Sequence, residues 1–132
     1  MNIRNIFNTL FAVGIFSSIS LMGSDNIDSA CQRLDNSNFE TVIAKGVVLV
    51  DFYADWCSPC QKLGPIFEQA ASEMSNTLTF AKANVDVASK ASQKYKVTSI
   101  PTLILFKDGK EVKRRMGGCD MKTLQNFIKQ SY

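Results

Sequence analysis

At 132 residues with 45% apolar side chains, the chain has the material for one globular core and a short extension. A net charge of +3 is too small to point to a polyanionic partner, and neither nucleic acid nor a metal is expected. Histidine is absent, which excludes Ser-His-Asp and Cys-His nucleophile pairs and histidine-ligated metal centres.

Residues 1–24 differ in kind from the rest. Arg4 precedes a stretch without charge that lasts until Asp25, with Leu10 to Phe16 as its apolar heart and small residues after it. That order resembles a secretory signal. A spanning helix needs about 20 mostly apolar residues, and Asn8, Thr9, Ser17, Ser18 and Ser20 dilute this run. The expectation is a signal removed between Ser20 and Ser24, and an exported protein, periplasmic or otherwise extracytoplasmic. An uncleaved membrane anchor and a cytoplasmic chain with a disordered extension are the alternatives. Residues 25–132 are expected to be the folded domain.

Ile27–Arg33 reads as a first strand. Asp35 to Ser37 offers helix-capping chemistry, and Phe39, Val42 and Ile43 form an apolar face on a short helix that Gly46 ends. Val47–Tyr53 is almost continuously apolar, as a strand buried on both faces requires. A long helix follows from Cys57, with Leu63, Ile66, Phe67, Ala70, Ala71 and Met74 at helical spacing. Pro65 inside it removes one backbone hydrogen bond and predicts a kink. Thr77–Val85 reads as a strand and Ala88–Tyr95 as a weaker helix. Thr102–Lys107 and Lys110–Met116 flank Asp108-Gly109, a strong hairpin signal. Asp120–Ile128 is the closing helix. The order βαβαβαββα predicts an α/β fold, a three-layer α/β/α sandwich around a central mixed sheet.

Four cysteines are present, Cys31, Cys57, Cys60 and Cys119. Only one pair is close in sequence, so neither a disulfide scaffold nor a structural zinc site fits. That pair sits in Trp56-Cys57-Ser58-Pro59-Cys60, where a strand delivers two cysteines to a helix start. The unpaired N–H groups and partial positive charge of a helix N-terminus favour a thiolate, the attacking form of cysteine. Two intervening residues bring the second sulfur within bonding reach of the first. The dithiol is built to open and close.

Asp51 is the odd residue of its strand. It is either a strand-end aspartate that reaches water, or a buried carboxyl whose pKa rises because desolvation disfavours its charge. Lys107, Lys110, Lys113, Arg114 and Arg115 make a basic hairpin of the kind that keeps an edge strand from aggregating. Cys31 reads as a small buried hydrophobe. Cys119 reads as incidental, with regulatory oxidation as the alternative.

Val50-Asp51-Phe52-Tyr53-Ala54-Asp55-Trp56-Cys57-Ser58-Pro59-Cys60, the block from Ser99 to Gly109 with its Ile100-Pro101-Thr102, and Gly117 together resemble the thioredoxin family over roughly Ile27 to the C-terminus. The resemblance implies the thioredoxin fold and a thiol–disulfide oxidoreductase that reduces protein disulfides. It implies Cys57 as nucleophile, Cys60 as resolving cysteine, Asp51 as proton acceptor for Cys60, and Lys82 near that aspartate. It further implies a cis Ile100–Pro101 peptide facing the dithiol, with the Ile100 backbone pairing with an extended substrate. Trp56, Ser58, Pro59, Ile100, Pro101, Met116, Gly117 and Gly118 would line the docking surface. Two positions depart from the common pattern, Ser58 for glycine and Tyr53 for tryptophan or phenylalanine. No bound cofactor is expected. The partners expected are disulfide-bonded proteins and an electron donor, a flavin reductase in a cytoplasm or a membrane electron carrier beyond it, acting on a monomer. A disulfide oxidant working in the opposite direction and a binding module without turnover are the competing functions.

Overall fold

The computed structural model describes residues 29–131, so the signal expected over residues 1–24 lies outside the described residues. Nine elements follow in chain order: β1 (Cys31–Leu34), α1 (Phe39–Ile43), β2 (Val47–Tyr53), α2 (Ser58–Met74), β3 (Thr79–Asn84), α3 (Ser89–Lys94), β4 (Thr102–Lys107), β5 (Lys110–Met116) and α4 (Met121–Lys129). The five strands form one mixed sheet in the order β1-β3-β2-β4-β5. β3 is parallel to both β1 and β2, and β4 is antiparallel to both β2 and β5.

Strand alternation divides the core between the two faces of the sheet. On one face Val48, Val50 and Phe52 of β2 join Ile104 and Phe106 of β4 under α1 and α3. There Phe39 packs against Phe52, Tyr95 and Phe106. On the other face Leu49 joins Leu103 and Leu105, Phe67 of α2, and Leu124 and Ile128 of α4. Asp51 follows Leu49 by two residues and therefore shares the α2 face. The β2 pattern consequently sets the carboxyl on the side where α2 carries the cysteines.

Local chemistry fixes the boundaries. Asp35 accepts from the N–H groups of Ser37 and Asn38, while Asn38 Oδ1 accepts from Asp35 N–H, which sets the entry to α1. Asp120 caps α4 by accepting from Thr123 N–H at 2.8 Å. Among the described residues the first strand runs from Cys31 to Leu34, so Ser29 and Ala30, expected within it, precede it, and it reaches one residue past Arg33. β3 begins at Thr79 rather than Thr77, because Thr77 N–H is used to close the last turn of α2 on the Met74 carbonyl. It ends at Asn84, whose carbonyl accepts from Val87 and Ala88 in the next turn. α2 continues through Pro65 as one helix from Ser58 to Met74. In the β4–β5 turn Asp108 and Gly109 both take positive φ, 49° and 84°, the geometry that favours Asp-Gly. Asp108 Oδ1 also accepts from Gly46 N–H, and Gly109 N–H donates to the Ile43 carbonyl. This ties the end of α1 to the hairpin turn.

Candidate active site

The site lies where β2 ends and α2 begins. Cys57 occupies the cap position of α2 in extended backbone, and Cys57 Sγ accepts from Cys60 N–H at 3.3 Å. Pro59 stands in the first turn, where its missing N–H costs nothing. Cys57 and Cys60 are joined by a disulfide, with Cα atoms 5.2 Å apart. The helix end therefore already presents an N–H group to the sulfur that must carry charge when the bridge opens. Exposure does not distinguish the two cysteines, at 5% and 4%. Sequence position alone would set Cys57 outward at the helix end and Cys60 one turn further in; the equal burial corrects that picture. What separates them is surroundings. Cys57 Sγ lies 3.7 Å from the Ile100 carbonyl oxygen, at the loop expected from the sequence to dock substrate. Cys60 instead lines a cavity of about 390 Å³ with Tyr53, Gly64, Glu68 and Lys82.

The Ile100–Pro101 peptide is cis and places the Ile100 carbonyl beside Cys57. Gly117 N–H donates to the Pro101 carbonyl at 2.8 Å, and Gly117 takes φ +87°, which favours glycine. A Cβ at Gly118 would stand 4.0 Å from the Pro59 carbonyl oxygen, so this loop packs close to the cysteine loop. Met116 pairs with Thr102 at the end of the β4–β5 ladder and is 62% exposed. Trp56 is 70% exposed and shares a small cleft with Ile100, Val85 and Val97. Its indole N–H donates to Asp86 Oδ2 at 3.0 Å, which fixes the ring's polar edge. Ser58 and Pro59 are exposed at the helix start. The residues expected from the sequence to dock substrate come from three separate segments, 56–59, 100–101 and 116–118, and the contacts above bring these segments together at the cysteine loop.

Asp51 is buried, and neither of its carboxylate oxygens has a hydrogen-bond partner. Desolvation lifts its pKa to about 7, against the lowering effect of the Lys82 charge. Lys82 is the direct β3 partner of Asp51 in the parallel register. Its ammonium nevertheless lies 3.7 Å from Glu68 Oε1 and 4.8 Å from the centre of the Tyr53 ring. Arg33 Nη1 donates to the Tyr53 hydroxyl at 3.3 Å, so Tyr53 is held between two cations on the rim of the site. Of the isolated cysteines, Cys31 is buried and Cys119 half-buried. Burial pushes both thiols up, away from the reactive thiolate.

Sequence reasoning missed Glu68 and Asp86. Glu68 was legible in one respect: Cys60, Gly64 and Glu68 follow at intervals of four, the spacing of one helix face. Nothing in the sequence shows that β3 brings Lys82 to that face.

The thioredoxin family model matches residues 30–130. The chain is 50% identical over 95 residues to a thioredoxin of Chlamydia pneumoniae, covering 72% of this chain and 92% of that one. It is 43% identical over 96 residues to a thioredoxin of Mycobacterium bovis, covering 71% and 83%. Among solved structures, the Malassezia sympodialis thioredoxin superposes with a TM-score of 0.71 at 30% identity, covering 79% of this chain and 92% of that one.

Proposed function

We propose a working cycle and a setting for this chain on the premise that it belongs to the thioredoxin family. It is a thiol–disulfide oxidoreductase that reduces protein disulfides through Cys57 and Cys60. The observation that carries the proposed cycle is the different surroundings of the two sulfurs, Cys57 against the docking loop and Cys60 against the cavity.

In that cycle the Cys57 thiolate attacks one sulfur of a substrate disulfide. A mixed disulfide forms, and the first substrate sulfur leaves as a thiolate that takes a proton from solvent. Cys60 then loses its proton to the Asp51 carboxylate and attacks Cys57 Sγ. The substrate's second sulfur is released, and the internal disulfide closes. Two electrons have moved from the dithiol to the substrate. The backbone at Ile100 offers an extended substrate a strand-like partner, and Trp56 and Met116 offer apolar surface on either side.

The remaining proposals concern setting. The uncharged run after Arg4 supports export and removal of the leader. Outside the cytoplasm the electron donor is a membrane electron carrier; a flavin reductase takes that role in a cytoplasm. The domain works as a monomer; of its exposed large apolar residues Trp56, Val87, Val112 and Met116, docking accounts for Trp56 and Met116, and single exposed valines are ordinary surface. Insulin reduction by the purified domain, with a chemical dithiol as donor, tests the cycle. Absence of turnover would leave the fold as a binding module.

A further inference from the structure

Asp51 is a buried acid with no hydrogen-bond partner, and a cation stands directly beside it in the sheet. The usual outcome of that juxtaposition is an ion pair. Here Lys82 extends instead toward α2, where Glu68 Oε1 is 3.7 Å from its Nζ. Glu68 is itself held from the far side, since Ser29 Oγ lies 3.1 Å from Oε2 and 3.3 Å from Oε1. The Tyr53 ring faces the ammonium from β2 at 4.8 Å. Lys82 and Glu68 together form part of the wall of the cavity that Cys60 lines, and that cavity is roomy enough to admit water. The anchor is therefore built from Ser29 ahead of β1, Glu68 of α2 and Tyr53 of β2, and it stands at the cavity that Cys60 lines.

We propose that Glu68 is a positioning residue: by holding the Lys82 ammonium at the wall of this cavity, it keeps the lysine off the Asp51 carboxylate and leaves Asp51 free to take the Cys60 proton. The proposal rests on Asp51 being that acceptor. If Lys82 closed on Asp51, the carboxylate would be stabilised in its charged form and become a weaker base. The Lys82 charge lowers the proton affinity of Asp51 even from its held position, which is the direction this requires; Glu68 also raises it directly by its own charge, and the double variant below separates the two. Other groups share the face. Arg33 and the Cys31 thiol come from β1, and Cys60 comes from α2. Arg115, from β5, lies across Leu103, and the Cys119 thiol belongs to the loop before α4. Arg33 is occupied by the Tyr53 hydroxyl, and both thiols are held protonated by burial. Arg115 stands beside the Cys119 thiol, and the charges that act on Asp51 are those of Lys82 and Glu68.

The test is the titration of the Asp51 carboxyl, followed by carbon NMR in the oxidised full domain, alongside the pH dependence of insulin reduction. Glu68→Gln should lower the Asp51 midpoint by at least threefold in proton affinity, about half a pH unit, because a tenfold change is one unit. The turnover profile should move to lower pH with it. Glu68→Asp, which keeps the charge, should restore most of the original midpoint. In a Lys82→Gln background, Glu68→Gln should lose most of its effect, because the lysine it holds is gone. An unchanged midpoint in Glu68→Gln, or an equal shift in both backgrounds, overturns the proposal. The first result means that the anchor is merely structural, and the second that Glu68 acts by its own field. The acceptor reading fails separately, if Asp51→Asn leaves the turnover profile unaltered while the Asp51 midpoint still responds to Glu68.

Discussion

Asp51 and Lys82 stand directly opposite each other in the parallel β2–β3 register, yet the lysine pairs with Glu68 and leaves both Asp51 oxygens without a partner. The sheet supplies the neighbour and the helix takes it away. A carboxyl in that position binds its proton more tightly in the folded chain than in the unfolded one, and stability follows from the difference.

Folded, the Asp51 pKa is about 7, and unfolded it returns to the ordinary carboxylate value of 3.8. Within that window the native state holds a proton that the unfolded state has released. The stabilisation is complete below the unfolded pKa and disappears as pH rises through the folded one. Urea unfolding of the oxidised domain should show stability falling from about pH 4 to about pH 7 by a few kcal/mol, each pKa unit corresponding to about 1.4 kcal/mol. Asp51→Ala should remove that slope and be more stable than the parent at pH 8. Parallel curves for the two proteins would place Asp51 in contact with solvent.

The same variant should be a slower enzyme. With no acceptor for the Cys60 proton, insulin reduction near neutral pH should drop at least about tenfold, a modest share of what a positioned base contributes. The initial attack of Cys57 should change less. Stopped-flow formation and decay of a mixed disulfide separates the two steps. Decay at the parental rate would remove Asp51 from the cycle.

Cys57 lies against the Ile100 carbonyl and Cys60 lines the cavity, so the two sulfurs should not be interchangeable. Cys60→Ser should accumulate covalent substrate adducts, because nothing resolves the mixed disulfide. Cys57→Ser should trap none. Mass spectrometry after incubation with a disulfide-bonded protein reads this directly, and equal trapping by both variants would reverse the conclusion.

The direction of electron flow follows from what stands near the nucleophile. Ser58-Pro59 brings no charge between the cysteines, and the chain has no histidine to stabilise a thiolate strongly. Cys57 therefore relies on the helix end, and its disulfide should be hard to reduce. Equilibration with glutathione buffers should give a potential near the roughly −270 mV of thioredoxin and far from the roughly −120 mV of a strong oxidant. A value above about −180 mV would place the protein among isomerases and oxidants.

Export makes the last prediction. N-terminal sequencing of protein from the native cell should find the chain beginning between Ser20 and Asp25, beyond the uncharged run. Recovery of the full-length chain in soluble cytoplasmic form would exclude export.

Much of the architecture was legible because its signals are local. Val47–Tyr53 and the two hairpin strands fall where the apolar run and the Asp-Gly turn put them. The Thr77 boundary was not, because Thr77 N–H is drawn into the end of α2, a choice between two hydrogen-bond partners that residue types alone do not make. The equal burial of the two cysteines was hidden for a related reason. The two cysteines pack with Ala54, Tyr53, Val85 and Ile100, and the last two belong to different parts of the chain.

The sequence by itself determined the reactive chemistry. A strand followed closely by two cysteines spaced by one helical turn places a sulfur at a helix N-terminus wherever the rest of the fold goes, and the absence of histidine limits how that sulfur is activated. Only the tertiary structure decided the surroundings of the buried carboxyl. Asp51, Glu68 and Lys82 are separated along the chain and meet because β2 and β3 pair in parallel beneath α2. Which carboxylate holds the lysine depends on distance and desolvation in that assembled space. Neither quantity exists in the sequence until the sheet and helix have packed.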